Sequence, residues 1–596
     1  DEGDENDEGN EGDENDEGDE GNEDDEGDEG DEGDDGDGGY EGDEGDEGDE
    51  GDEGDEYDEG DEGDEGDEGD EGDEGDEGDE GDEGDGDGTG SRFPDEGLAR
   101  AVENALGTPG VTRSSTQDVE MLQTLNAARS KVMDLSGLET ASALKSLNLG
   151  NNEISDLTPI SKLNGLIELT LSRNPGLEDL SAISGLSNLK TLRLDGIGAT
   201  DLTPLSALTA LERLSLASNR QIEELSGLAN LANLKWLVLD RVGASDLAPL
   251  SALTGLSYLS LASNRQIEDL SALSALTLLK TLRLDSIGAS DLTALSNLTN
   301  LESLTLTANR QIVDLSALSG LALLRTLRID SIGASDLSPL SGLTELRTLS
   351  ASGNQIADVS PLTSLARLSG LSLGNNVITN IAPLSDLSEL RNLSLYNNEI
   401  SDVAALAELP ALASLNLNSN ELAGFPATGF SELKSLYLGN CNLADIAALG
   451  NLSGLRTLFL DGNGIADLTP VSSMAGLRSL YLRRNTVSDL MPLAELFELR
   501  QLVLDGNDIS DLSPLSNLTN LTSLQLRENT VSDVSALANL KNLRTLILYK
   551  NEVTDISTLM DLPKLEYVDL RENPLGAAAL ETQIQALKQR QVQVIY

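Results

Sequence analysis

The chain has 596 residues and a formal net charge of −72, with 109 acidic residues against 37 basic ones and no histidine. Nucleic acid is disfavoured as a partner because phosphate binding needs a basic footprint, and the lack of imidazole removes the commonest general base and the histidine ligands of most catalytic zinc sites. The single cysteine, Cys441, excludes a disulfide within the chain, and no apolar run approaches the roughly 18 residues needed to span a membrane.

Residues 1–92 form an acidic tract built on Asp-Glu-Gly triplets and interrupted by Asn, Tyr40 and Tyr57; its first 90 residues hold 55 of the acids and none of the bases. Glycine at every third place is the collagen spacing, but the tract lacks proline and carries two like charges per triplet, which argues against a triple helix. The tract therefore reads as a disordered, extended spacer. Weak, multisite capture of Ca²⁺ by its carboxylates is the alternative role.

A helical cap is expected over 93–118. In FPDEGLARAVENALG, Pro94 stands in the first-turn position, Asp95 and Glu96 lie near the positive end of a helix, and Leu98, Val102, Ala105 and Leu106 fall on one face. The open end of a stacked array exposes apolar side chains, so something must cover it.

From 119 to 576 one unit recurs about every 22 residues, a period that signals a solenoid. In LRQLVLDGNDISDLSPLSNLTN (499–520), Leu499, Leu502, Leu504, Ile509, Leu512, Leu515 and Leu518 are the apolar positions. LRQLVL alternates like a short strand, with Leu502 and Leu504 inward and Gln501, Val503 and Asp505 towards solvent. Asn507 marks the corner, where an amide that both donates and accepts satisfies backbone groups left without a sheet partner. The same position is held by Asn152, Asn174, Asn219, Asn264, Asn309, Asn354, Asn376, Asn398, Asn420, Asn463, Asn485, Asn529, Asn551 and Asn573; Ser130, Ile197, Val242, Ile287, Ile332 and Cys441 replace it elsewhere, for 21 turns in all. Cys441 reads as a small buried side chain. The return leg, ISDLSPLSNL, suits a 3₁₀ or single-turn helix capped by Asp511. One turn buries too little apolar surface to offset the ordering of its backbone, so stability resides in stacking between neighbours. Between Asn174 and Ile332 the steps alternate 23 and 22, giving a 45-residue double unit. At 424–430, GFPATGF, the return leg loses its pattern and the step shortens to 21. Residues 577–596 read as a closing helix and a short final strand.

The pattern LxxLxLxxNxIxDLxPLxxL resembles the 22-residue leucine-rich repeats of bacterial internalins. FPDEGLARAVENALG is similar to their helical cap, and the segment from Asn573 through VQVIY resembles the closing segment of related arrays. The resemblance covers 93–596. It implies an α/β repeat solenoid: a right-handed leucine-rich-repeat superhelix with a parallel concave sheet and a convex side of 3₁₀ turns, short helices or loops. It also implies a protein secreted by, or displayed on, a bacterium, gripping another protein on the concave sheet. A glycan is the other partner expected there, and the chain is expected to be a monomer. No immunoglobulin-like domain follows the array and no LPxTG-like motif ends the chain, so an anchor is expected before Asp1, as a lipidated cysteine with the acidic tract as its tether. Two other readings stand beside this one: a Ca²⁺-binding or matrix-bridging protein acting through the tract, and, more distantly, an intracellular protein like the leucine-rich regulators of phosphatases. An enzyme is not expected, since no nucleophile, base and orienting group occur together at recognisable spacing. No cofactor or metal site is expected in the repeats.

Contact residues are expected on outward strand positions. Trp236, Tyr258, Tyr396, Tyr437, Phe459, Tyr481, Tyr549 and Tyr567 fall there, with Val503 continuing the row of Tyr437, Phe459 and Tyr481. Exposed aromatics on a rigid surface are typical anchors, although lateral packing along the sheet is the competing explanation. Arg193, Arg283 and Arg328, each two residues before an aspartate on the same strand face, are further candidates; solvated ion pairs with Asp195, Asp285 and Asp330 are the plainer expectation.

Overall fold

The computed structural model describes residues 93–107 and 116–596. The acidic tract, its tether role and its capture of Ca²⁺ lie outside the described residues. From Thr124 onward, three-residue strands pair in parallel with the strand of the next turn, always in the same register, as Leu480 sits beside Leu502 and Leu502 beside Leu524. The sheet has 22 strands, the last being Gln593–Ile595 on Tyr567–Asp569.

Burial follows from the two periods in the repeat. In the turn beginning at Leu499, all seven expected core positions are buried. Strand alternation delivers Leu502 and Leu504, and the return leg is a 3₁₀ helix, Ser513–Asn517, that delivers Leu515. Asp511 accepts the Ser513 N–H at 2.8 Å and the Ser513 hydroxyl at 2.8 Å, so it starts the helix as an Asx turn. The residue at the formal cap is Leu512, one place further on. The same bond recurs at Asp156, Asp201, Asp291, Asp336 and Asp467.

At each corner the residue before the amide turns through positive φ; Gly506 does so at +66°. Asn507 then closes the corner. Its amide nitrogen donates to Leu482 O at 2.8 Å and Leu504 O at 3.0 Å, and its oxygen accepts the Val487 N–H at 3.0 Å. Each ladder asparagine thus ties its own strand to two backbone groups of the preceding turn. Where Ile197, Val242 or Ile287 replaces the amide, a side chain invisible to the repeat pattern compensates. Gln221, Gln266 and Gln311 donate to Ile197 O, Val242 O and Ile287 O at 2.7–2.8 Å. Cys441 is wholly buried, and its thiol donates to Leu417 O at 3.2 Å. Burial pushes that thiol up to about 11, so it is a weak donor in the ladder and closed to thiolate chemistry.

The ends differ in detail from the sequence reading. Helix α1, Glu96–Leu106, has Asp95 as its cap, accepting Leu98 N–H at 2.8 Å; Pro94 therefore precedes the helix and does not occupy its first turn. Asp95 also accepts Met133 N–H at 2.7 Å, stapling the cap to the first corner. Leu98, Ala101 and Val102 are buried and Leu106 packs half-buried against the core, whereas Ala105 faces solvent. A second short helix, α2, Thr116–Glu120, follows without a clear pattern in the sequence. At the far end, helix α3, Ile584–Gln589, buries Ile584 and Leu587 and leads into the last strand. Around 424–430 no 3₁₀ turn forms; Phe425 and Phe430 stack at 5.0 Å and fill the space instead.

The return-leg carboxylates set an acid limit on the fold. The hydroxyl two residues on, and then the N–H of the same residue, hold Asp156, Asp201, Asp291, Asp336 and Asp467 below the usual carboxylate range. A carboxylate whose folded pKa is depressed stabilises fully above its unfolded value, near 3.9, and loses that contribution as pH falls through the folded value. The melting temperature is therefore expected to be flat from about pH 5 to 7 and to drop below about pH 4. A profile that keeps its neutral-pH melting temperature down to about pH 2 would contradict this.

Candidate functional site

Outward side chains on the sheet form rows, because equal register stacks equivalent positions of successive strands. The aromatic residues do not share one row. Trp236, Tyr258 and Tyr567 open their strands, Tyr437, Phe459 and Tyr481 close theirs, and Tyr396 and Tyr549 stand two residues beyond their strands. These are alternate positions, which strand geometry turns to the same face, and along the array they divide into separate groups.

The largest group is Tyr437, Phe459 and Tyr481, on three successive strands. Strands lie about 4.8 Å apart, so rings at equivalent positions are brought face to face at stacking distance. Ring centroids stand 4.6 Å apart for Tyr437 and Phe459 and 3.8 Å apart for Phe459 and Tyr481, the latter pair nearly parallel at 6°. All three remain partly exposed. Lateral packing and exposure thus coexist: the rings cover one another's inner faces and turn their edges outward. The Tyr481 hydroxyl bonds Gln501 Oε1 at 2.9 Å, and burial raises its phenol pKa. Val503, the expected fourth member, is only 2 % exposed. It is a short side chain between Tyr481 and Gln525 and is overtopped by them, so it offers no contact surface.

Trp236 and Tyr258 form a second stack, 5.3 Å apart, with Arg213 next in the same row. Sequence reading passed over Arg213; aligning the strands by register is what exposes it. Tyr567 stands apart from both stacks, between Thr545 and Gln593. The two tyrosines beyond their strands are engaged locally. The Tyr396 ring lies against Gly374, where a Cβ would come within 2.1 Å of it, and Tyr549 donates to Glu572 at 2.7 Å with the Arg571 guanidinium 5.4 Å from its ring centre.

The arginine pairs also change character. Only Arg283 reaches its aspartate, at 3.6 Å from Asp285; among the described residues Arg193 and Arg328 make no ion pair. The carboxylates serve the scaffold. Asp195, Asp240, Asp285 and Asp330 each accept an N–H from the next turn, of Ala217, Ala262, Thr307 and Ser352, at 2.7–2.9 Å. Each also takes a hydroxyl from the next strand, of Ser215, Ser260, Thr305 and Ser350. This row fastens the edge of the sheet, and Arg193 and Arg328 beside it make no ion pair among the described residues.

Among the described residues no group of three or more acidic or cysteine side chains is placed to hold a metal ion, and no helix is long and apolar enough to cross a membrane. Leucine-rich-repeat family models match residues 344–386, 431–473 and 498–539, and a second such model matches 519–575. The protein is a leucine-rich-repeat solenoid. An internalin of Listeria monocytogenes, inlF, is 30 % identical over 65 % of this chain and 95 % of its own, with a TM-score of 0.42. Internalin C2 of the same organism is 28 % identical over 51 % of this chain and 95 % of its own, with a TM-score of 0.23. The leucine-rich-repeat ectodomain of an Arabidopsis thaliana receptor kinase, solved in complex with CASPARIAN STRIP INTEGRITY FACTOR 2, is 21 % identical over 74 % of this chain and 57 % of its own, with a TM-score of 0.53. Comparison with curated proteins finds no match. In sequence its repeats are similar to those of these bacterial internalins.

Proposed function

We propose that this protein is a non-enzymatic recognition scaffold acting outside the bacterial cell, and that it binds a protein partner on the outward face of its sheet. The observation that carries this reading is the stack of Tyr437, Phe459 and Tyr481. Their inner faces are fixed by one another and their edges are open, on strands whose backbone is bonded on both sides. Binding costs less when anchors are ordered in advance, and rigid aromatics are frequent hot spots. Similarity to internalins supports the extracellular setting.

The test is the double substitution Tyr437→Ala with Tyr481→Ala. Capture of surface proteins from target-cell extracts is expected to weaken by about 2 kcal/mol or more, some thirtyfold. The melting temperature should stay near that of the parent, because the substituted rings stand outside the leucine core. Unchanged capture, or loss of folding in step with loss of capture, would overturn the assignment.

A further inference from the structure

The residue immediately before each strand forms another row, along one edge of the sheet. From Lys190 to Arg325 this row neutralises itself. Glu212 takes Lys190 at 2.8 Å and Lys235 at 3.0 Å, and Glu302 takes Lys280 at 2.8 Å and Arg325 at 3.3 Å. Further along, the pattern changes. Lys434, Arg456, Arg478 and Arg500 hold the row on four successive turns, and among the described residues none has a carboxylate within ion-pair distance. The three arginines are exposed.

These are the turns that carry Tyr437, Phe459, Tyr481 and Val503. Two independent features therefore coincide among the described residues: a stack of three rings, and a run of four cations with no carboxylate at ion-pair distance. The rings reinforce the sign. Stacking closes their electron-rich faces against each other and turns their electropositive edges outward. Between rings and cations lie Ser435, Thr457 and Ser479, half-exposed hydrogen-bonding side chains without charge.

We propose that Lys434, Arg456, Arg478 and Arg500, together with the adjoining ring edges, dock an acidic segment of the partner protein whose carboxylates run in line along the row. Cations about 4.8 Å apart match carboxylates on one face of a helix, which recur at about 5–6 Å, better than alternate residues of an extended strand at about 6.6 Å. The stack leaves only the outer faces of Tyr437 and Tyr481, beside Asn416 and Val503, a smaller platform for a sugar than three open rings, which favours a peptide over an anionic glycan. Glu432 and Glu498, two residues from Lys434 and Arg500, are the nearby acids in sequence, and neither forms an ion pair with the row. This inference rests on reading the sheet face as the contact surface.

The test is fluorescence anisotropy of a labelled helical peptide bearing glutamates four residues apart, added to the full chain at moderate ionic strength. Binding is expected, weakening as salt rises, and falling about tenfold in Arg456→Ser with Arg478→Ser. Serine already occupies this row at Ser257 and Ser369, so the fold accepts it. The control pair Lys190→Ser with Lys280→Ser, at self-neutralised positions, should leave binding unchanged. No binding, equal loss in both pairs, or tighter binding of a sulfated oligosaccharide than of the peptide would overturn the proposal. A failure here, with capture still lost in the Tyr437 and Tyr481 double variant, would remove the acidic segment and leave the contact face standing.

Discussion

Asn264→Ala is expected to destabilise the array by about 3–5 kcal/mol, although the side chain touches no ligand and leaves every leucine in place. Asn264 is fully buried. Its amide donates to Leu239 O at 2.8 Å and Leu261 O at 2.7 Å, and its oxygen accepts the Val242 N–H at 2.8 Å. Alanine removes all three partners at once, and each buried group left without one costs about 1–3 kcal/mol, with some recovery if water enters. The Val242 corner has no amide of its own, so its N–H has no alternative acceptor in the ladder. The loss should appear as a lower urea midpoint, with amide exchange accelerated first around Val242. A shift below about 1 kcal/mol would show that the ladder is not what holds adjacent turns in place.

Gly243→Ala is the second large effect, expected at about 2–4 kcal/mol. A Cβ at Gly243 would lie 2.3 Å from Arg220 O and 3.0 Å from Ile222 O. Neither carbonyl is free to retreat, since Ile222 O accepts the Gly243 N–H at 2.9 Å and both belong to the corner below. The glycine after Ile or Val in the double unit is therefore a consequence of close approach between turns. Gly288, with 2.3 Å to Arg265 O, should respond in the same way, whereas Gly424, with open space around it, should tolerate alanine within about 0.5 kcal/mol. Equal tolerance at Gly243 and Gly424 by thermal melting would refute the steric account.

The solenoid was legible because its two strongest determinants are periodic: leucines that must point inward and an amide that must close each corner. A pattern read one turn at a time is blind to interactions between turns. Nothing in the repeat pattern marks Gln221, Gln266 and Gln311, yet each donates to a corner that lacks an amide, and only the stacked geometry brings them to the carbonyl. The aspartates beside Arg193 and Arg328 read as halves of ion pairs, while register hands their oxygens to the next strand. The candidate face was legible in part. Outward alternation placed Tyr437, Phe459 and Tyr481 correctly, but whether Val503 could be touched depended on the size of its neighbours in adjacent turns. The unpaired run from Lys434 to Arg500 was missed for the same reason: pairing in that row depends on residues some 22 positions away.

The central claim is that the outward sheet face, at the ring stack, is where the partner sits. Its most direct test places a photo-crosslinking phenylalanine analogue at residue 459, and separately at residue 472 on the return leg of the same turn, and compares adducts formed in target-cell extracts. Covalent capture of a discrete protein from position 459 and none from 472 is the predicted result. Capture from 472 alone, or equally from both, would contradict the account.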